Sequence, residues 1–258
     1  MARPTHPDRR PAVVTGASSG IGAATALALA RQGLPVALGA RRVERCADLA
    51  AQIRDEGGEA VALPLDLADP DSIDRFAAAA SDALGDIEVL ISNAGVLRPG
   101  ATVDSAPSRF AEEMQVNVLA VQHLLHRFAP GMIERGRGDL VFISSDTAVR
   151  ARPFMSAYST SKWGLEGLVG SLQQELEATG VRASVVRPGP TSSEMGSDWD
   201  ADAGAVVINA WIRFGHARHP RVLPAEAIAN AVTSIVTAPR GTHINLIEVS
   251  PEARVEDK

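Results

Sequence analysis

The residues best equipped for proton chemistry are Tyr158 and Lys162, in the stretch AYSTSKWG at 157–164. Tyr158 is the one tyrosine in 258 residues, and lysine occurs only at Lys162 and Lys258 in a chain otherwise supplied with arginine. A phenol ionises near pH ~10, too high for ready proton transfer at neutral pH. A nearby ammonium favours the phenolate and lowers that value. Residues four apart share one face of a helix, so a helix over 156–179 points both side chains the same way. Arginine would hold its proton at any working pH, which gives a chemical reason for lysine here. Taken alone, the pair is also what an exposed helix carries by chance; its company elsewhere in the chain decides.

A second constellation lies near the start. VVTGASSGIGAATALALARQG joins a short apolar run to a helical pattern, with Gly16, Gly20 and Gly22 spaced G-x-x-x-G-x-G. Glycines let the backbone turn tightly and approach a pyrophosphate, and the N–H groups opening the helix face the anion. The next apolar run ends VALGARRVER. An acid there would hold a ribose 2′-hydroxyl and repel a 2′-phosphate. Ala40 is followed instead by Arg41 and Arg42, guanidiniums suited to a phosphate. NADP(H) is therefore expected over NAD(H), with Arg41 the phosphate clamp and Arg42 a second one; the alternative is that both arginines, Arg42 above all, are a solvated helix start. Asp66, ending the third run, either accepts from the adenine amino group or caps its own turn.

The elements that must position these residues follow from hydrophobic patterning. Runs at 12–16, 35–40, 60–66, 87–95, 139–145, 182–189 and 243–250 are rich in Val, Leu and Ile without polar alternation, as strands covered on both faces should be. Helical patterns near 20–32, 42–56, 70–84, 107–135, 156–179 and 224–238 alternate with them. The expected fold is α/β: a doubly wound, Rossmann-type, seven-stranded parallel sheet with helices on both faces. The chain reads as a flexible leader over 1–10, one domain over 11–250 and a tail over 251–258. One stretch, about 190–223, breaks the alternation. It falls at the C-terminal edge of the sheet, where ligands bind in such folds. It serves a substrate, packs on the domain or a neighbouring subunit, or does both.

The ordered set TGASSGIG (15–22), SNAG (92–95), ISS (143–145), YSTSK (158–162) and RPG (187–189) resembles the classical short-chain dehydrogenase/reductase family across residues 11 to 250. The resemblance implies that Tyr158 is the catalytic acid/base, and that Lys162 lowers its pKa and binds the nicotinamide ribose. Ser145 would hydrogen-bond the substrate oxygen, and Asn117 would hold a water extending the proton relay. Implied cofactor contacts are Ser18, Ser19, Ile21 and Leu67 beside the glycines, Asn93, Ala94 and Gly95 after the central strand, and Pro188, Gly189, Thr191 and Ser193 after the sixth. The implied reaction is hydride transfer interconverting a carbonyl and an alcohol in a small-molecule substrate. The implied assembly is a homo-oligomer, tetramer or dimer, through the long helices at 107–135 and 156–179. Substrate choice would come from 96–101, 147–157 and 190–223, where Arg150 and Arg152 offer charge and Phe154, Met155, Trp199, Trp211 and Phe214 offer apolar surface. A cofactor-sensing regulator without turnover is the alternative; it is disfavoured because every catalytic position is kept. An isomerase or dehydratase on a related extended fold would need a larger C-terminal substrate domain.

Composition narrows the classes further. A net charge of −6 argues against a nucleic-acid backbone as partner. Cys46, the single cysteine, allows no intrachain disulfide and fits a cytoplasmic, reducing compartment. No run of about 18 apolar residues predicts a membrane helix. The opening MARPTHPDRRPAVV lacks the apolar segment of a signal peptide. No metal is expected.

Overall fold

The structure is a computed structural model that describes residues 6–7, 9–195, 201–216 and 221–253. Seven strands form one parallel sheet: β1 (Ala12–Thr15), β2 (Val36–Ala40), β3 (Ala60–Pro64), β4 (Val89–Ser92), β5 (Gly138–Ile143), β6 (Val181–Pro188) and β7 (Leu246–Val249). Their order is β3-β2-β1-β4-β5-β6-β7, so the chain reverses its direction of travel across the sheet between β1 and β4. A crevice opens there beyond the C-terminal ends of the strands.

The apolar runs become strands because both faces are covered. One face packs under α3 (Pro70–Leu84), α5 (Ala120–Glu134) and α6 (Ser156–Glu175), through Phe76, Leu124, Met132, Leu165 and Val169. The other lies under α1 (Gly20–Arg31), α2 (Val43–Asp55) and α8 (Ala225–Val236), through Leu29, Ile53, Ile228 and Val232. Helix starts follow local chemistry: Asp69 caps α3 by accepting from the Asp71 amide at 2.9 Å, with Pro70 at the first helical position. Cys46 is buried under α2, and desolvation pushes its thiol up to about 11, so it stays protonated and inert.

The helical pattern at 107–135 is broken in register. α4 (Pro107–Met114) passes through a π-helical turn at Gln115–Leu119 before α5 begins. Such a turn re-aims the side chains that follow and is common at functional sites. Asn117 lies inside it. The 190–223 stretch contains α7 (Ala201–Arg213), and its two ends are joined by a bridge between Thr191 and Leu223. Trp199 lies outside the described residues.

Below the sheet, at the end away from the crevice, an ion cluster centred on buried Asp139 and Glu88 ties several segments together. Asp139 accepts from Arg182 Nε at 2.6 Å and Nη2 at 2.9 Å and also pairs with Arg10, while Glu88 pairs with Arg137. Arg10 further donates to Val236 O at 2.8 Å, so this end of the 1–10 segment is anchored by side-chain bonds.

Candidate active site

A cleft of about 780 Å³ runs along the C-terminal edge of the sheet, from the β1–α1 turn to Tyr158. At the turn, Gly16 has φ 68°, and a Cβ there would come within 2.9 Å of Ala94 Cα. Only glycine fits such a backbone against the neighbouring strand's turn. A Cβ on Gly22 would lie 2.3 Å from Gly16 O, so this glycine allows the helix to approach the turn and does not itself line the cleft. Ser19, at the N-cap of α1, makes no capping bond through its side chain. The first N–H groups of the helix therefore face the cleft, suited to an anion.

Thr15 and Asn93 fix the crevice between β1 and β4. Thr15 Oγ1 accepts from the amides of Asn93 and Ala94, each at 3.0 Å, and Asn93 Nδ2 donates to Thr15 O at 2.8 Å. The other residues expected to hold a dinucleotide all line the cleft: Ser18, Gly20, Ile21, Arg41, Arg42, Asp66, Leu67, Gly95, Pro188, Gly189, Thr191 and Ser193. Asp66 Oδ1 accepts from its own turn at the Ala68 amide, 3.0 Å away, which is the capping alternative. The cradle of glycines and uncapped helix N–H groups, with cationic side chains at one edge, fits a dinucleotide phosphate group.

At the far end, α6 and the segment after β5 bring Tyr158, Lys162 and Ser145 together, as the four-residue spacing requires. Tyr158 is 7% exposed and Lys162 3%. Lys162 Nζ donates to Ile143 O at 2.8 Å and lies 5.6 Å from the centre of the Tyr158 ring. Burial pushes the Tyr158 phenol up to about 12; hydrogen bonding with Ser145 opposes this, while the Asp146 and Glu113 carboxylates reinforce it. Burial likewise pushes the Lys162 ammonium down to about 8, against the pull of Glu166. The phenol therefore lies above its ordinary value, not below it as its lysine neighbour led one to expect, because burial dominates. At neutral pH the pair is a neutral phenol beside an ammonium, a proton donor in waiting.

Asn117 sits behind this wall and does not line the cleft. Its Nδ2 donates to Val96 O and to Ser161 Oγ, each at 2.9 Å, and its Oδ1 accepts from the Val96 amide at 2.9 Å. It therefore pins the backbone after β4 to α6 at Ser161, the residue next to Lys162. Another support lies beneath Lys162: Glu166, one helical turn on, accepts from Ser144 Oγ at 2.6 Å and from Arg187 Nη2 at 2.6 Å. Ser144 is thereby committed to this network, while Ser145 faces the cleft.

On the substrate side, Arg152 pairs with Asp146 and stacks on the Trp211 ring 4.9 Å away. Trp211 Nε1 donates to Pro153 O at 3.3 Å, docking α7 on the loop after β5. Arg152 is therefore already matched with a carboxylate and a ring. Phe214 is 63% exposed and packs little.

Of the two arginines offered after β2, Arg42 is the one that bonds the β1–α1 turn, donating to Ser18 Oγ at 3.1 Å and Ser19 Oγ at 3.0 Å, while Arg41 lines the cleft. Two features escaped the sequence. Glu194 closes over the same edge, 2.7 Å from both Arg42 and Arg45. Glu113, on α4, is buried and lines a smaller cavity of about 360 Å³ together with Phe110 and Phe154. Its Oε1 accepts from the Arg98 amide at 3.0 Å, and desolvation pushes its carboxyl up to about 7. Among the described residues, no group of three or more His, Cys, Asp or Glu is placed to hold a metal, and no helix is long and apolar enough to cross a membrane.

Comparison with known proteins agrees with this layout. Residues 10–204 match the family model described as short chain dehydrogenase. Glycine betaine reductase ATRR of Emericella nidulans is 33% identical over 93% of this chain, which spans 18% of that protein. A short chain dehydrogenase of Pseudocercospora fijiensis is 37% identical over 74% of this chain and 62% of its own length. The chain thus spans less than two thirds of these two relatives. Among solved structures, an actinorhodin polyketide ketoreductase variant with NADPH superposes with TM-score 0.85 at 28% identity, covering 96% of this chain and 98% of that one. A short chain dehydrogenase/reductase from Burkholderia phymatum in complex with NAD gives 0.80 at 26% identity, covering 93% and 89%. With a family match over most of its length and the same fold in both neighbours, the chain belongs to the short chain dehydrogenase family.

Proposed function

We propose that this chain is an NADP(H)-dependent oxidoreductase that interconverts a carbonyl and an alcohol. The observation that carries this reading is the cleft itself, with an anion cradle at one end and, at the other, half-buried Ser145 beside the buried Tyr158 and Lys162. The nicotinamide cofactor, when bound, supplies or accepts the hydride. The chain's own residues handle the proton and the oxygen. In the reductive direction Tyr158 gives its phenolic proton to the carbonyl oxygen, and the Ser145 hydroxyl stabilises the charge developing there. Lys162, held between Ile143 O and the phenol, keeps a cationic donor beside Tyr158 as it loses its proton. The raised pKa of the phenol keeps it protonated for the reductive direction, and leaves little phenolate to act as base in the oxidative direction until pH rises. Asn117 acts through position, holding the Val96 backbone and α6 in register.

The preference for NADP(H) rests on Arg42, with Arg41 and Arg45 close by at the adenosine edge and no carboxylate ending β2. A cytoplasmic setting and a homo-oligomer built on α5 and α6 belong to the same reading. Leu119, 56% exposed in the π-helical turn just before α5, and Trp163, 55% exposed on α6, provide apolar surface for it.

The test is a parallel titration with NADPH and NADH followed by tryptophan fluorescence, then NADPH consumption across a panel of ketones and aldehydes. NADPH should bind more tightly and be consumed with at least one carbonyl. Tight NADPH binding without turnover on any carbonyl would favour the sensing regulator. Tighter NADH binding would overturn the cofactor assignment.

A further inference from the structure

The segment after β6 meets the phosphate turn at Ser193 and Glu194. Its root is stitched down, with the Ser192 amide donating to Leu223 O and the Leu223 amide to Pro190 O, each at 2.8 Å. One residue on, Ser193 leans over the turn: a Cβ built on Gly20 would meet Ser193 Cβ at 3.2 Å. Glu194 then crosses the edge of the cleft. Its Oε2 lies 2.7 Å from Arg42 Nη1 and its Oε1 2.7 Å from Arg45 Nη1. A hydrogen bond with Ser19 completes the set.

This carboxylate is satisfied by two guanidiniums and a hydroxyl. That donor set, forked and charge-assisted, is what a ribose 2′-phosphate would require. Arg42 is also the side chain that bonds Ser18 and Ser19 of the turn, so it cannot serve a second anion elsewhere without leaving both. Two anions brought to the same guanidiniums repel each other. The arginines hold the Glu194 carboxyl down at about 2, so it remains an anion at every working pH.

We propose that Glu194 competes with the 2′-phosphate for Arg42 and Arg45. It is thereby a determinant of cofactor specificity on the substrate-side segment, and phosphate capture releases that segment from the turn. The inference deepens the NADP(H) assignment and rests on it. A cofactor without the 2′-phosphate has no need to displace Glu194, so Glu194 narrows the margin by which NADPH is preferred. The contacts are half-exposed, and the effect is correspondingly modest.

The experiment titrates wild type and E194Q with AMP and adenosine 2′,5′-bisphosphate, probes that differ by the 2′-phosphate alone, and then with NADH and NADPH. E194Q should tighten adenosine 2′,5′-bisphosphate and NADPH by about three- to tenfold. AMP and NADH should stay unchanged. Adding R42A to E194Q should abolish the gain. Weaker NADPH binding in E194Q would mean that Glu194 organises the arginines for phosphate, and would overturn the competition. Equal shifts for both members of each pair would overturn it too, because the effect would not belong to the phosphate. A wild type that prefers NADH would remove the NADP(H) assignment, yet a selective gain for the bisphosphate in E194Q would still uphold competition at these arginines.

Discussion

The two ends of the cleft handle charge in opposite ways. At the adenosine edge Arg42, Arg45 and Glu194 have side chains 43–48% exposed, and they meet through short ion pairs that water and salt can screen. At the catalytic end Tyr158, Lys162 and Asn117 are buried, and burial is the largest cause of the shifted proton affinities of Tyr158 and Lys162. The exposed end can exchange partners at little cost, as capture and release of a nucleotide demands. The buried end holds fixed geometry and shifted proton affinities, as proton transfer demands. Two carboxyls, one at the cleft's edge and one in the smaller cavity beside it, sharpen this: that of exposed Glu194 is pulled down to about 2 by arginines, while that of buried Glu113 is pushed up to about 7 by the loss of water.

If the contrast holds, substitutions should hurt most at the buried end. K162M should lower carbonyl turnover by about 10²- to 10⁴-fold, the range of a lost acid–base group. K162R should fail to rescue it, because a planar guanidinium does not fit the space between Ile143 O and the phenol and does not approach neutrality. Rescue by arginine would show that charge alone is enough.

N117A removes a buried amide that makes three hydrogen bonds. It should cost about 1–3 kcal/mol in urea denaturation, through the unsatisfied Val96 groups and Ser161. It should lower turnover while leaving the phenol's own chemistry in place. An unchanged denaturation midpoint would remove Asn117 from the support of the site.

Glu113 gives a pH signature. Its folded pKa, about 7, stands above the 4.5 of a free glutamate side chain, so the folded state holds the proton more tightly. Its contribution to stability is therefore complete below about 4.5 and is lost as pH rises through about 7, by up to roughly 3 kcal/mol. E113Q should flatten the wild-type decline in stability between pH 5 and pH 8, measured as denaturation midpoints on a pH series. A parallel decline in both proteins would place the titrating group elsewhere.

The smallest effect belongs to the exposed edge. R45A should weaken NADPH by about threefold, leave NADH unchanged, and not move the denaturation midpoint. A large stability loss would show that these pairs are structural rather than exchangeable.

Much of this was legible in the sequence because it is local. The apolar runs became strands, and the glycine spacing became a turn, since each depends on a few neighbouring residues. Tyr158 and Lys162 met because i and i+4 meet on any helix. What stayed hidden depends on rotation and distance. Whether Arg41 or Arg42 faces the turn depends on how α2 leaves β2, which patterning does not fix. Glu194 pairs with Arg45 across 149 residues, so no window of sequence shows the contact. Glu113 reads as a solvated acid in AEEMQVN, and it is buried because α4 packs that face beside Arg98 and Phe154. The π-helical turn that sets Asn117 adds a residue to one turn, and apolar periodicity over 107–135 is too coarse to register it.

The central claim is that Tyr158 carries the proton in a cleft that binds the cofactor independently of it. The most direct measurement pairs NADPH affinity with turnover in Y158F, using a carbonyl that the wild type consumes. The account predicts an affinity within about threefold of wild type and turnover lower by at least about 10²-fold. Turnover that survives in Y158F, with NADPH still bound, would contradict it.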